Sequence, residues 1–138
     1  MEQYGLKFHH LGLATATFKA AIHLLEGLGY KIGEPVLDRL QNVELIMCCH
    51  ATMPNIELIT PGRGESPVDA IIAKHNGAIY HLCFTTENVE NSISAMENDG
   101  QKVLCLSESK EAILFDNKKV SFYHVAGFGV IEFIEWIE

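Results

Sequence analysis

The chain repeats itself. Shifted by 71 positions, His10 falls on His81, Leu11 on Leu82, Thr15 on Thr86 and Ile22 on Ile93. Glu26 falls on Glu97, Gly29 on Gly100 and Lys31 on Lys102. Those are seven identities over the stretch 10–31. Leu13 with Phe84, Phe18 with Val89 and Leu25 with Met96 add similar pairs between them. A later block, Ile56-Glu57-Leu58-Ile59, matches Ile131-Glu132-Phe133-Ile134 at a slightly larger offset, as an indel in the intervening hairpins would produce. Repetition constrains the fold strongly, because both copies must build the same supersecondary unit.

Each copy reads as β-α-β-β-β. Phe8–Ala14 and Ile79–Thr85 are short apolar strands, and each runs into a threonine (Thr15 or Thr17; Thr86) suited to cap a helix. Phe18, Ile22 and Leu25, and Val89, Ile93 and Met96, recur at i, i+4 and i+7, which predicts one buried helix face. Gly29 and Gly100 follow where positive φ is favoured. Further strands are expected near Tyr30–Gly33, Val43–Cys49 and Ile56–Ile59, and near Lys102–Leu106, Val120–Val125 and Val130–Trp136. Pro61-Gly62-Arg63-Gly64 marks a turn, and Pro67 is expected at the first position of a short helix reaching about Lys74. The 138 residues suit a single α+β domain. It comprises a first module over about 7–60, a linker helix over about 61–77 and a second module over about 78–138.

Charge and composition narrow the partners. The formal net charge is −8, with 10 basic against 18 acidic residues. Such a surface repels nucleic acid and anionic membranes, so neither is expected as a partner. Met1–Lys7 has no apolar leader core, and no apolar run approaches the ~20 residues of a membrane span. A cytoplasmic location is the expectation. Cys48, Cys49, Cys83 and Cys105 form no C-x-x-C pair and read as small thiols buried in strands of a reducing compartment.

Four residues need a further explanation. The repeat pairs His10 with His81 and Glu57 with Glu132. Alternation along a strand puts Gly12 on the face of His10 and Cys83 on the face of His81, which leaves room beside each imidazole. Glu57 and Glu132 stand in the middle of apolar strands, where an ionised carboxylate is costly unless paired or metal-bound. A divalent cation removes that cost. A lone strand histidine is usually a satisfied core or surface residue; two symmetric His/Glu pairs are a different case. His9, His23, His50, His75 and His124 have no repeat partner of the same type, and no site role is expected for them. Two imidazoles and two carboxylates suit cobalt, nickel, zinc, manganese or iron, with open positions for water or substrate oxygens.

With these residues in view, the chain resembles the vicinal oxygen chelate superfamily (glyoxalases, bleomycin-resistance proteins and dioxygenases). Its closest likeness is to the methylmalonyl-CoA epimerase and glyoxalase I branch. Phe8-His9-His10-Leu11-Gly12-Leu13-Ala14 resembles the opening strand, whose histidine binds the metal, and that role passes to His10. Asn55-Ile56-Glu57-Leu58-Ile59-Thr60-Pro61 resembles the strand that carries a Glu or Gln ligand, here Glu57. Tyr80-His81-Leu82-Cys83-Phe84 gives His81, and Phe128-Gly129-Val130-Ile131-Glu132-Phe133-Ile134-Glu135 gives Glu132. The linker Pro61-Gly62-Arg63-Gly64-Glu65-Ser66-Pro67-Val68 is similar to that of the epimerases. Two positions depart from the epimerase pattern. Leu40 stands where a second acidic group is expected, with Asp38 and Glu44 nearby, and the turn Phe122–Gly127 lacks the usual Pro-Lys.

The resemblance implies two tandem βαβββ modules in a vicinal-oxygen-chelate fold, with a partly closed β-sheet holding one divalent ion. It implies a metal-dependent epimerase or isomerase that removes the proton α to a (thio)ester carbonyl of a small molecule such as an acyl-CoA. Glu132 is the first candidate for ligand and base, and Glu57 the second. A glyoxalase-type lyase acting on a thiol adduct is the alternative enzyme, and a non-catalytic small-molecule-binding module of the same fold is the alternative class. Arg63, Lys74, Lys118 and Lys119 are candidates to meet substrate phosphates. Phe122, Phe128 and Trp136 are candidates to line a pocket, with core packing as their ordinary role. Relatives pair, so a homodimer is expected.

Overall fold

The structure, a computed structural model, describes residues 3–137. They divide into two compact units, one spanning His10–Tyr80 and the other taking the chain from His81 onward together with the residues ahead of His10. His10 and His81 are repeat partners, so this division follows the duplication.

In the first unit, strand β1 (Lys7–Ala14) leads to helix α1 (Lys19–Gly27). Strands β2 (Lys31–Ile32), β3 (Val36–Asp38), β4 (Val43–Cys49) and β5 (Ile56–Pro61) follow, then helix α2 (Asp69–Lys74). β4 pairs antiparallel with β2, β3 and β5. β5 lies parallel to β1, with Gly12 beside Glu57. Leu25 of α1 packs on Tyr30, Ile46, Cys48 and Leu58, with Phe18 and Ile22 against the same cluster, as the spacing predicts. β3 has no counterpart among the expected strands. It continues the line of β2 along β4, and the two are separated at Gly33-Glu34-Pro35. Proline carries no N–H for the ladder, whereas the Gly33 N–H still donates to Met47 O at 2.9 Å.

The second unit repeats the plan with β6 (Ala78–Thr86), helix α3 (Val89–Asn98), β7 (Val103–Ala112), a 3-10 turn (Ile113–Phe115), β8 (Lys118–Val125) and β9 (Gly129–Glu135). β6 and β9 run parallel, with Cys83 beside Glu132, the counterpart of Gly12 beside Glu57. β8 lies antiparallel between β9 and β7. Met96 packs on Val125, Ile131 and Phe133, with Val89 and Ile93 against the cluster. β7 runs six residues past the expected Leu106. Its outer half, Ser107–Glu111, has no apolar alternation because it is an edge strand, held on one side by β8 and broken by register shifts. The strand path of the first unit ends at the edge β2 and that of the second at the edge β7. Among the described residues no helix is long and apolar enough to cross a membrane.

The helix ends correct one expectation and support another. α1 starts after Phe18 with no side-chain cap, and the Thr15 hydroxyl donates to Thr17 O instead. α3 is capped by Asn88, whose side chain accepts from Asn91 N–H at 3.0 Å. Thr86 sits two residues upstream and its hydroxyl accepts from Asn88 N–H. Asn88→Ala should cost about 1 kcal/mol of stability, read as a shifted urea midpoint. Both C-termini close alike. Gly29 and Gly100 take φ of +93° and +88°, and Tyr30 N–H and Gln101 N–H reach back to Leu25 O and Met96 O, the Schellman pattern. α2 begins at Asp69, not Pro67; the Asp69 carboxylate accepts from Ser66 N–H at 2.8 Å.

All four cysteines are free. Cys48 and Cys83 are buried as expected, but Cys49 and Cys105 are exposed. Cys49 is the last residue of β4, and Cys105 lies on the edge strand β7.

Candidate metal centre

In the first unit the strand registers set the geometry. Gly12, Glu57 and Met47 are lateral neighbours across β1, β5 and β4, and lateral neighbours share a sheet face. His10, two residues before Gly12, lies on that face. Leu58, one residue after Glu57, points the other way into the cluster under α1. His10 is 0% and Glu57 3% exposed. His10 Nε2 stands 3.7 Å from Glu57 Oε1, beyond hydrogen-bond range, and Glu57 Oε2 is buried without a hydrogen bond among the described residues. A buried carboxylate oxygen with no donor is costly. It is what a cation ligand looks like.

The second unit builds the same pair from equivalent positions. His81 and Glu132 are each 2% exposed, and His81 Nε2 lies 2.9 Å from Glu132 Oε1. That distance lacks hydrogen-bond alignment for this pair. Phe122, lateral to Glu132, sets its ring edge-on to His81 at 5.2 Å. Its place beside His81 was not legible in the sequence; the β8–β9 register sets it. Each unit thus carries one buried histidine and one buried glutamate, residue types that ligate divalent metals. The Cys48 thiol is pushed up to about 11 by burial and secondarily by Cys49 beside it. Cys48 is lateral to Ile56 and packs in the cluster under α1, on the face away from Glu57.

The remaining candidates spread out. Leu40 is 62% exposed on a turn. Asp38 is buried on the Glu57 face, but its carboxylate accepts from Gln41 N–H and Gln41 Nε2. Glu44 points to the opposite face, and β4 presents Leu45 and Met47 alongside Glu57. Trp136 packs on His9 and under the Lys118 ammonium, and Phe128 is exposed. His23 and His124 are exposed. His50 is tied to the backbone, its Nδ1 accepting from Thr52 and Met53 N–H.

Fold and site together define a class. Residues 9–122 match the Glyoxalase/Bleomycin resistance protein/Dioxygenase superfamily, and the chain belongs to that superfamily. Among characterised relatives, an ethylmalonyl-CoA/methylmalonyl-CoA epimerase from Cereibacter sphaeroides is 29% identical over 126 residues, covering 88% of this chain and 90% of the relative. Two crystal structures share the fold. A hypothetical protein from Bacillus halodurans C-125 has a TM-score of 0.79 and 24% identity, with 96% of each chain covered. Methylmalonyl-CoA epimerase from Mycobacterium tuberculosis has a TM-score of 0.77 and 19% identity, covering 99% of this chain and 90% of the other.

Proposed function

We propose that this chain is a metal-dependent epimerase that removes and returns the proton α to a thioester carbonyl of an acyl-CoA. In this reading His10, Glu57, His81 and Glu132 hold one divalent ion within a single two-module domain. The observation that carries it is the duplication of one buried His–Glu pair at equivalent strand positions. The ion is cobalt, nickel, zinc, manganese or iron, the metals that a mixed nitrogen and oxygen set accepts. When bound, it supplies Lewis acidity to the carbonyl oxygen as negative charge develops there.

The residues of the chain do the rest. His10 and His81 act as neutral imidazole donors. Glu132 takes the α-proton and gives it back, and Glu57 is the alternative base. Leu45 and Met47, on the β4 face beside Glu57, keep that side of the site apolar and exclude water. The acyl-CoA assignment rests on the relatives named as epimerases. The chain is taken to work as a cytoplasmic homodimer.

Incubation of metal-loaded protein with methylmalonyl-CoA in D2O tests the reading. Deuterium should enter the α-carbon, and Glu132→Gln should slow entry at least about 100-fold. Full turnover in Glu132→Gln with metal retained would transfer the base role to Glu57. Turnover of a thiol–aldehyde adduct, without exchange in any acyl-CoA, would replace the epimerase with a glyoxalase-type lyase.

A further inference from the structure

The chain contains only two arginines, Arg39 and Arg63, and both line one cavity of about 660 Å³ in the first unit, with Leu37, Asn42, Glu44, Pro61 and Gly62. We propose that this cavity binds a phosphate-type anion, with Arg39 and Arg63 as its paired ligands. It stands apart from the metal site. Leu37 is lateral to Glu44, and both alternate with Asp38, Leu45 and Glu57, so they point to the opposite face of the sheet.

Charge supports the assignment. Acidic residues outnumber basic ones 18 to 10, yet among the described residues neither guanidinium is engaged by a carboxylate. Two arginines lining one cavity offer planar guanidinium forks suited to the several oxygens of a phosphate or diphosphate. The Glu44 carboxylate in the same cavity moderates the positive charge.

The backbone is arranged to bring the two arginines together. They are 24 positions apart in the chain, and Asn42 ties their segments. Asn42 takes φ of +54°, in the left-handed region. Its Nδ2 donates to Arg63 O at 2.9 Å and also to Glu65 O. Its own carbonyl accepts from Gly62 N–H and from the Ser66 hydroxyl. A Cβ at position 62 would stand 2.1 Å from Asn42 Oδ1, so this close approach requires glycine. Four hydrogen bonds from one asparagine thus hold the Arg63 loop against the turn that carries Arg39.

Phosphate groups of this kind are found in free pyrophosphate and in coenzyme A. Calorimetric titration at fixed ionic strength with pyrophosphate, coenzyme A and pantetheine, which lacks phosphate, separates the two sources. Arg39→Gln and Arg63→Gln should each weaken anion binding about 10-fold or more. Glu44→Gln should strengthen it, and Lys102→Gln, exposed in the second unit and outside the cavity lining, should leave it unchanged. Loss of both pyrophosphate and coenzyme A binding in the arginine variants assigns the cavity to the phosphate group itself. Loss of coenzyme A binding alone assigns it to that cofactor's phosphates. Unaltered affinities in the Arg39→Gln/Arg63→Gln double variant, or an equal loss in Lys102→Gln, overturn the proposal. None of these variants touches His10, Glu57, His81 or Glu132, and none needs metal for its readout, so failure here is distinct from failure of the epimerase reading.

Discussion

Chelator-treated protein should unfold at a temperature about 15 °C below that of protein carrying one divalent ion per chain. A ligand that binds only the folded state at about 1,000 times its Kd adds about 4 kcal/mol, and in a domain of this size each kcal/mol moves the midpoint by roughly 4 °C. The effect should be large because the metal-free state holds Glu57 and Glu132 buried in apolar strands. His10→Ala and Glu132→Ala should lose the ion by elemental analysis and lose the thermal difference with it. His23→Ala, exposed on α1, should keep both. In chelated protein, Glu132→Ala should cost less than truncation of a buried residue usually does, because it also removes a buried carboxylate that is costly to desolvate. Protein that neither retains nor takes up nickel, cobalt, zinc or manganese, and whose melting ignores chelator, would remove the metal reading and leave a small-molecule-binding module.

The second large effect concerns the repeat itself. Leu58 and Phe133 occupy equivalent positions, each one residue past the site glutamate, and both are 0% exposed. Phe133 is packed by Met96, Val125 and Ile131, with the Tyr123 ring 5.5 Å away. Phe133→Ala should cost about 3–5 kcal/mol and Leu58→Ala about 2–5 kcal/mol, since each leaves a cavity under a helix. Leu106→Ala, on an exposed edge position, should stay within about 0.5 kcal/mol. Urea midpoints at constant slope measure all three. A loss below about 1 kcal/mol for Phe133→Ala would mean that the α3 face and β9 do not pack as described.

These two experiments probe what the sequence carried most openly. Phe18, Ile22 and Leu25, and their partners Val89, Ile93 and Met96, lie within single segments, so their helical period is visible without any knowledge of the fold. Gly29 and Gly100 are legible for the same reason, because the Schellman closure is settled within six residues. The two histidines and two glutamates stood out by repeat symmetry and by the cost of a carboxylate in an apolar strand.

Edge strands and helix caps were harder to read. β3 and the outer half of β7 bury little, so no alternation marks them, and their existence depends on β4 and β8 offering a ladder. Thr86 and Asn88 are both competent caps; Asn88 takes the role because Thr86 is still the last residue of β6 and the helix starts two residues later than the threonine implied.

Local periodicity, backbone preference and symmetry therefore determined the βαβββ unit and its duplication from sequence alone, and singled out four candidate site residues. Only the tertiary structure decided which side chains share a face. It set Phe122 against His81, turned Glu44 away from Glu57, and brought Arg39 and Arg63 to one cavity. Register and side-chain convergence are set by contacts between segments far apart in the chain, and no local pattern contains them.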